Sequence, residues 1–378
     1  MNFDLTPDQE LLQQSVRRLL DDTYSFEQRK GYIQTPLGWS MAVWNQFVDT
    51  GLLGLPFATE DGGFGGGAVE IMLTMEALGR SLSLEPFFAA VILAGTALKS
   101  GANAAQRERW LPALIEGRER YAFAHVERHA RYNLAEVRTR ARRDRDGWRL
   151  SGTKDFVIHG DSANRIIVTA RTAGNDADRT GITLFMVEAA ALGRRGYRIQ
   201  DGTRAADLHF DEVLVTDADR IGEVGDGMRL IDAVADAGMA ALVAEAVGVM
   251  AHAHDLTVEY LKIRKQFGVT IGSFQALQHR AVDMLVMIEQ ARSMALYASM
   301  MSDQEDPKKR RQAVAASKCF IGRAGKFVGE QSVQLHGGIG VTEEHAVGHY
   351  YRRLTMINVL FGDSDHQLTQ VAAGGALP

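Results

Sequence analysis

With Cys319 as its only cysteine in 378 residues, the chain cannot form an intramolecular disulfide, and nothing supports a cysteine-built metal cluster. The neighbours of Cys319, Ala315-Ala316-Ser317 and Phe320-Ile321, spell an apolar helix in which a thiol is expected to be buried and inert. A dominant basic block is also missing. The chain has 42 Lys and Arg against 47 Asp and Glu, for a net charge of −5, which argues against a nucleic-acid partner. The short run Lys308-Lys309-Arg310-Arg311 follows Asp306-Pro307 and reads as a solvated helix start. No positively charged segment leads into an apolar core at the N-terminus, so no secretory signal is expected. No window approaches twenty apolar residues, so no membrane span is expected either. A reducing, cytoplasmic location fits these absences. Gly62-Gly63-Phe64-Gly65-Gly66-Gly67 is glycine-rich, but it lies between helical segments rather than after a strand. It also lacks the spacing and following acid of a dinucleotide loop, and it reads as a turn.

What is present is an ordinary globular composition, 46% apolar and 24% charged, on a chain too long for one core. The first third is helical in pattern. Thr6-Pro7-Asp8-Gln9 supplies a cap, a first-turn proline and a capping-box glutamine, and Leu12, Val16, Leu19 and Leu20 then share a face. Further helices are expected over residues 39–50, 68–80, 86–101 and on to about 117. From about residue 121 to 215 the texture changes to short β-branched and aromatic runs (148–150, 155–158, 166–168, 182–187) punctuated by glycines, as in a small β-domain. Long helical periods return at 228–265, 274–301 and 308–335 and suit a bundle. The expected class is α+β, with an N-terminal helical domain (1–118), a small middle β-domain of sandwich or barrel type (119–222) and a C-terminal long-helix bundle (223–378).

The most informative run is Tyr260-Leu261-Lys262-Ile263-Arg264-Lys265-Gln266-Phe267-Gly268, followed by Phe274-Gln275-Ala276-Leu277-Gln278. It places a permanent cation, amides and an aromatic face just past a long helix. Arg264 has the planar fork of donors suited to a diphosphate, Gln266 and Gln275 suit polar atoms beside it, and Phe267 suits a ring. This arrangement resembles the flavin-binding segment of the acyl-CoA dehydrogenase family. The order α, β, long-helix α resembles that family through essentially the whole chain.

The resemblance implies FAD and the α,β-desaturation of an acyl-CoA thioester. In that reaction a carboxylate removes the α-proton on one side while the flavin takes hydride on the other. It implies that Arg264, Gln266, Phe267 and Gln275 contact the diphosphate and adenosine half of FAD across a subunit interface. Gln334-Leu335-His336-Gly337-Gly338-Ile339-Gly340 resembles the family's Gln-x-x-Gly-Gly-x-Gly, so Gln334, Gly337 and Gly338 are expected at the cofactor of a neighbouring subunit. His125 and Val126 resemble the strand end whose amides face the flavin. Phe156 and Ile158 stand where the family has an aromatic residue and a threonine, although Ile158 cannot supply the hydroxyl. The usual loop serine is also missing from Glu127-Arg128-His129-Ala130-Arg131-Tyr132-Asn133.

The family's base is where the match fails. Its glutamate near the C-terminus corresponds to Phe361 in Leu360-Phe361-Gly362-Asp363-Ser364, and its alternative helix position corresponds to Gly238, beside Met239. Asp363, Asp365 and Asp236 are the nearby carboxylates, and Asp363 is also a candidate for capping a helix or touching the cofactor. The backbone N–H of Phe361 remains available in principle to a thioester oxygen. The endings Phe361-Gly362-Asp363-Ser364-Asp365-His366 and Arg353-Leu354-Thr355-Met356-Ile357 resemble the small subunits of pimeloyl-CoA-type dehydrogenases. The resemblance therefore implies a homotetramer or an α2β2 heterotetramer, an electron acceptor such as an electron-transfer flavoprotein, and a place in fatty or dicarboxylic acid degradation. The alternatives are a flavin monooxygenase of the same fold, with His336 or His366 assisting, and a non-catalytic subunit that completes a partner's cofactor site.

Overall fold

The computed structural model describes residues 4–375. In chain order the helices are α1 (Pro7–Thr23), α2 (Phe26–Ile33), α3 (Met41–Asp49), α4 (Ala68–Ser81), α5 (Gly95–Gly101) and α6 (Ala104–Ile115). After the strands come α7 (Gly227–Ile263), α8 (Gln275–Ser302), α9 (Pro307–His336), α10 (Ala346–Val359) and α11 (Ser364–Gly374). The strands are β1 (Tyr121–Ala124), β2 (Arg140–Asp144), β3 (Gly147–Ile158), β4 (Arg165–Arg171), β5 (Ile182–Glu188), β6 (Gly193–Arg198), β7 (Arg204–Val215) and β8 (Arg220–Ile221). A short ribbon, β9 (Lys265–Gln266) and β10 (Val269–Thr270), follows α7. The chain divides into two compact units. One holds the residues up to Gly31, Gly67–Ser83 and those from Met239 onward. The other holds Tyr32–Gly66 and Leu84–Gly238.

The first unit is helical. Thr6 caps α1 and Gln9 answers it, so the capping box read from the sequence forms, and Val16 and Leu20 turn inward. Asp306 caps α9 by accepting from the Lys308 N–H, with Pro307 in the first turn. The close approach of α4 to α7 depends on two glycines. A Cβ on Gly248 would lie 1.9 Å from the Glu76 carbonyl oxygen, and one on Gly79 would lie 2.1 Å from that of Glu245. Charged side chains tie the same helices to their neighbours. Glu245 takes both ends of the Arg353 guanidinium fork at 2.6 and 2.7 Å, and Glu76 accepts from Arg292 at 2.6 Å.

Helix α7 corrects one expectation. It is long and apolar enough to cross a membrane, with a mean hydropathy of 1.6 over its most apolar window, although polar residues interrupt the run. Because 83% of that window is buried inside the protein, the helix reads as a core element, apolar because most of it is packed.

The second unit carries the sheet. Its strand order is β6-β7-β3-β2-β4-β5-β8, with β1 added in parallel to β4. Strands β4 and β5 are buried almost throughout, and Ile166, Val168, Phe185, Leu150 and Phe210 form the core beneath them. The sequence runs 148–150 and 155–158 belong to a single strand, β3, that continues through Gly152. Gly152 adopts a positive φ of 145° and lies against Thr139. The helical part of this unit includes a seven-residue π-helical stretch, Phe88–Ala94, with every residue buried. Gly51 ends the segment after α3 at a φ of 76°, and a Cβ there would meet the ring of Phe64 from the glycine-rich turn at 2.7 Å.

Candidate active site

In the sheet unit, Val126 and Phe156 come together in one groove of about 430 Å3, shared with Arg128, Asp155, Arg195, Tyr197 and Asp207. The groove exists because β3 is bulged. Lys154 pairs with Leu208 and Val157 with Ala206, so three steps on β3 span two on β7. Phe156 occupies the extra position at a φ of 54°, and its N–H leaves the ladder for the Asp207 carboxylate at 3.2 Å. A left-handed phenylalanine costs roughly 1–2 kcal/mol. Asp207 holds that backbone while also accepting from Tyr197 Oη at 2.8 Å and Arg195 at 2.6 Å. Burial works to raise its carboxyl, but these donors keep it below the usual range. Burial and then Asp207 itself push the Tyr197 phenol up to about 12. The groove thus presents an apolar, aromatic floor between neutralised ion pairs, a surface suited to a flat ring system.

His125 and Ile158 do not line this groove. His125 is buried beside it, with its ring Nδ1 3.1 Å from Thr169 Oγ1, and burial pushes its pKa down to about 3. Beneath the end of β1 lies a charged cluster that sequence reading missed. The fully buried Lys154 ammonium donates to Glu127 at 2.6 Å, to Thr169 Oγ1 at 3.0 Å and to the His125 carbonyl at 3.2 Å. Glu127 also accepts from the N–H groups of Arg138 and Thr139 and from the Thr139 hydroxyl. This pair fixes the backbone that carries His125 and Val126. Nothing local marked it, since Lys154 stands in a mixed strand between Thr153 and Asp155.

In the helical unit, Arg264 immediately precedes β9, Gln266 ends it, Phe267 lies in the β9–β10 turn, and Gln275 begins α8. All four are exposed, Phe267 to 91%, and Phe267 adopts a φ of 53° with its ring edge-on to Phe274. Gln334 is exposed in the last turn of α9. Gly337 ends that helix at a φ of 64°, and neither it nor Gly338 has an atom within 4 Å of where a Cβ would stand. Both backbones are therefore open to close approach, as the resemblance requires. His336 is spoken for. It is buried, its Nδ1 is 2.8 Å from the Ser332 carbonyl, and its ring stacks on Tyr260 at 4.6 Å.

The turn between α10 and α11 carries Phe361 at a φ of 58° and Gly362 at 103°. The Asp363 carboxylate caps α11 by accepting from the His366 N–H at 2.9 Å, and Asp365 is exposed on that helix. Gly238 and Met239 are buried in α7, and Asp236 is only 4% exposed. The two positions that the resemblance aligns with the family's base hold Phe361 and Gly238, neither of which is a carboxylate.

The comparisons agree with this anatomy. The models for the N-terminal, middle and C-terminal domains of acyl-CoA dehydrogenase match residues 6–118, 122–213 and 225–376. The chain belongs to the acyl-CoA dehydrogenase family. It is 28% identical to the probable acyl-CoA dehydrogenase YngJ of Bacillus subtilis (strain 168), over 98% of this chain and 99% of that protein. Among solved structures, PigA with FAD and proline superposes with a TM-score of 0.90 at 25% identity, covering 99% of this chain and 98% of that one. The Tcur3481-Tcur3483 steroid ACAD superposes at 0.86 with 26% identity, covering 97% of each. Taken by itself, the groove has the apolar, aromatic lining that a flat flavin ring suits.

Proposed function

We propose that this acyl-CoA dehydrogenase is the base-lacking half of a two-component enzyme. It binds FAD and the acyl-CoA thioester while a partner subunit, of the kind paired with pimeloyl-CoA-type small subunits, supplies the carboxylate. One observation carries this reading. The family match runs nearly end to end, yet the residue at the base position is Phe361, and the nearest acid, Asp363, is committed to capping α11. A general base contributes about 10²–10⁴ in rate, more than a working enzyme forgoes without replacement. The Tcur3481-Tcur3483 relative, named for two components, supports a paired assembly.

FAD, when bound, supplies the hydride acceptor. Apart from the carboxylate, which the partner supplies, the chain's own residues bind and orient. Phe156 and Val126 offer the face for the ring system, and Arg264, Gln266 and Gln275 hold the diphosphate end of a neighbouring subunit's FAD. The backbone of Phe361 polarises the thioester carbonyl and so acidifies the α-carbon. An electron-transfer flavoprotein is the expected acceptor of the electrons.

The test is anaerobic mixing with a panel of acyl-CoA thioesters, using the chain alone and the chain co-purified with the product of an adjacent reading frame. Flavin bleaching only in the pair is the expected result. Full-rate bleaching by the isolated chain refutes the paired reading. Phe361→Glu puts a carboxylate back at a position whose left-handed φ suits glutamate no worse than phenylalanine, and it should raise enoyl-CoA formation by the isolated chain by about tenfold or more.

A further inference from the structure

The turn at residues 358–364 is held by a buried lysine. Lys318, from the middle of α9, is wholly buried, and its ammonium donates to the carbonyls of Asn358 at 2.8 Å and Gly362 at 3.1 Å. Asn358 O is one of the last carbonyls of α10, which lack helical partners, so the cation sits at the negative end of that helix. Other bonds close the rest of the turn. Gln367 Nε2 donates to the Phe361 carbonyl at 2.6 Å, the Ser364 N–H to Asn358 Oδ1 at 3.2 Å, and the His366 N–H to Asp363.

Gly322, one turn beyond Lys318, lets α9 come this close, since a Cβ there would lie 2.2 Å from Asn358 Oδ1. Two successive left-handed residues, Phe361 and Gly362, are held by this web. A strained non-glycine backbone persists only where its surroundings over-determine it, and such places concentrate at working sites. Burying an ammonium is costly, and a helix end needs only water or a glycine to finish it. A cation spent on two carbonyls of one turn is therefore more than a helix stop requires.

We propose that Lys318 is a positioning residue for the thioester, its Nζ–H donors fixing the turn so that the backbone at Phe361 meets the substrate carbonyl. This rests on the reading of that turn given under Proposed function. Lys318 itself is too deeply buried to touch substrate and acts only through the turn.

The test uses the FAD-loaded chain co-purified with its partner, with Lys318→Met and Gln367→Leu as variants. The probe is an aryl-conjugated enoyl-CoA, whose absorption moves to the red when its thioester carbonyl is polarised. Lys318→Met is expected to keep its FAD and to lose the red shift. Its kcat should fall by about tenfold or more with KM changed by less than about threefold, because the contact matters most in the transition state. Amide exchange at residues 360–363 should quicken without any ligand. Gln367→Leu, which frees the Phe361 carbonyl from the other side, should do the same in smaller degree, and it decides the matter if Lys318→Met does not fold. A folded Lys318→Met with an unchanged red shift, or with unchanged exchange in the turn, overturns the proposal. A wild-type pair that gives no red shift while bleaching normally overturns the thioester reading of the turn, and this proposal falls with it.

Discussion

Gly248→Ala is the sharpest test of how the helical unit is built, because two opposing effects of known size meet there. In an exposed helix the substitution stabilises by about 1 kcal/mol, since alanine loses less backbone freedom and has the better helix propensity. In α7 the new Cβ would lie 1.9 Å from the Glu76 carbonyl oxygen and 2.8 Å from the Arg80 nitrogen, both backbone atoms with no rotamer to change. Ordinary contact needs about 3.5 Å, so α4 and α7 must part by more than about 1 Å. Parting them also strains the Glu76–Arg292 and Glu245–Arg353 pairs beside the crossing. Overpacking of this kind costs about 1–3 kcal/mol or more, which exceeds the propensity gain.

The control is Gly31→Ala in α2, where nothing lies within 4 Å of the added carbon and stabilisation of about 0.5–1 kcal/mol is expected. Urea midpoints measured at fixed FAD should move in opposite directions for the two variants. If Gly248→Ala tracks Gly31→Ala, or matches the wild type, the glycine-mediated approach of α4 and α7 is wrong.

Three further perturbations probe the site and its supports. Arg264→Ala should shed FAD on gel filtration, because a diphosphate loses its charge-assisted hydrogen bonds, and unchanged flavin occupancy would refute the assignment. Lys154→Met strands Glu127 in the sheet core and should cost about 3–5 kcal/mol in denaturant unfolding. The Lys154→Met/Glu127→Gln double variant should cost clearly less than the sum of the two single changes, and simple additivity would show that the pair is not coupled. Burial pushes the Lys318 pKa down to about 7, against the pull of Asp363, with Cys319 and His366 also nearby. Between pH 7 and the unfolded value of 10.5 the unfolded chain holds the extra proton, so this lysine makes the protein more stable as pH rises through that window. The gap in urea midpoint between wild type and Lys318→Met should therefore widen from pH 7 to pH 9 in favour of the wild type; a gap that narrows contradicts the burial.

Local patterns in the chain were enough to place most helices. The Thr6–Gln9 capping box, the Asp306-Pro307 start of α9 and the long helical periods all depend on neighbours within a turn or two, and each formed where it was read. The arginine ribbon and the Gly337-Gly338 bend were legible for the same reason, since contiguous residue types define them. Tertiary structure decided what distant segments do to one another. Phe156 is turned into the groove by a bulge whose anchor, Asp207, lies on another strand. Lys154 and Glu127 meet 27 residues apart, and Lys318 reaches a turn some forty residues on. Even the apolar character of α7 acquires its meaning only from the helices around it. Short-range rules act through backbone geometry that each residue carries with it. The burial of a charge, or the left-handed φ of a phenylalanine, is favourable only once remote partners are in place, so no local pattern records it.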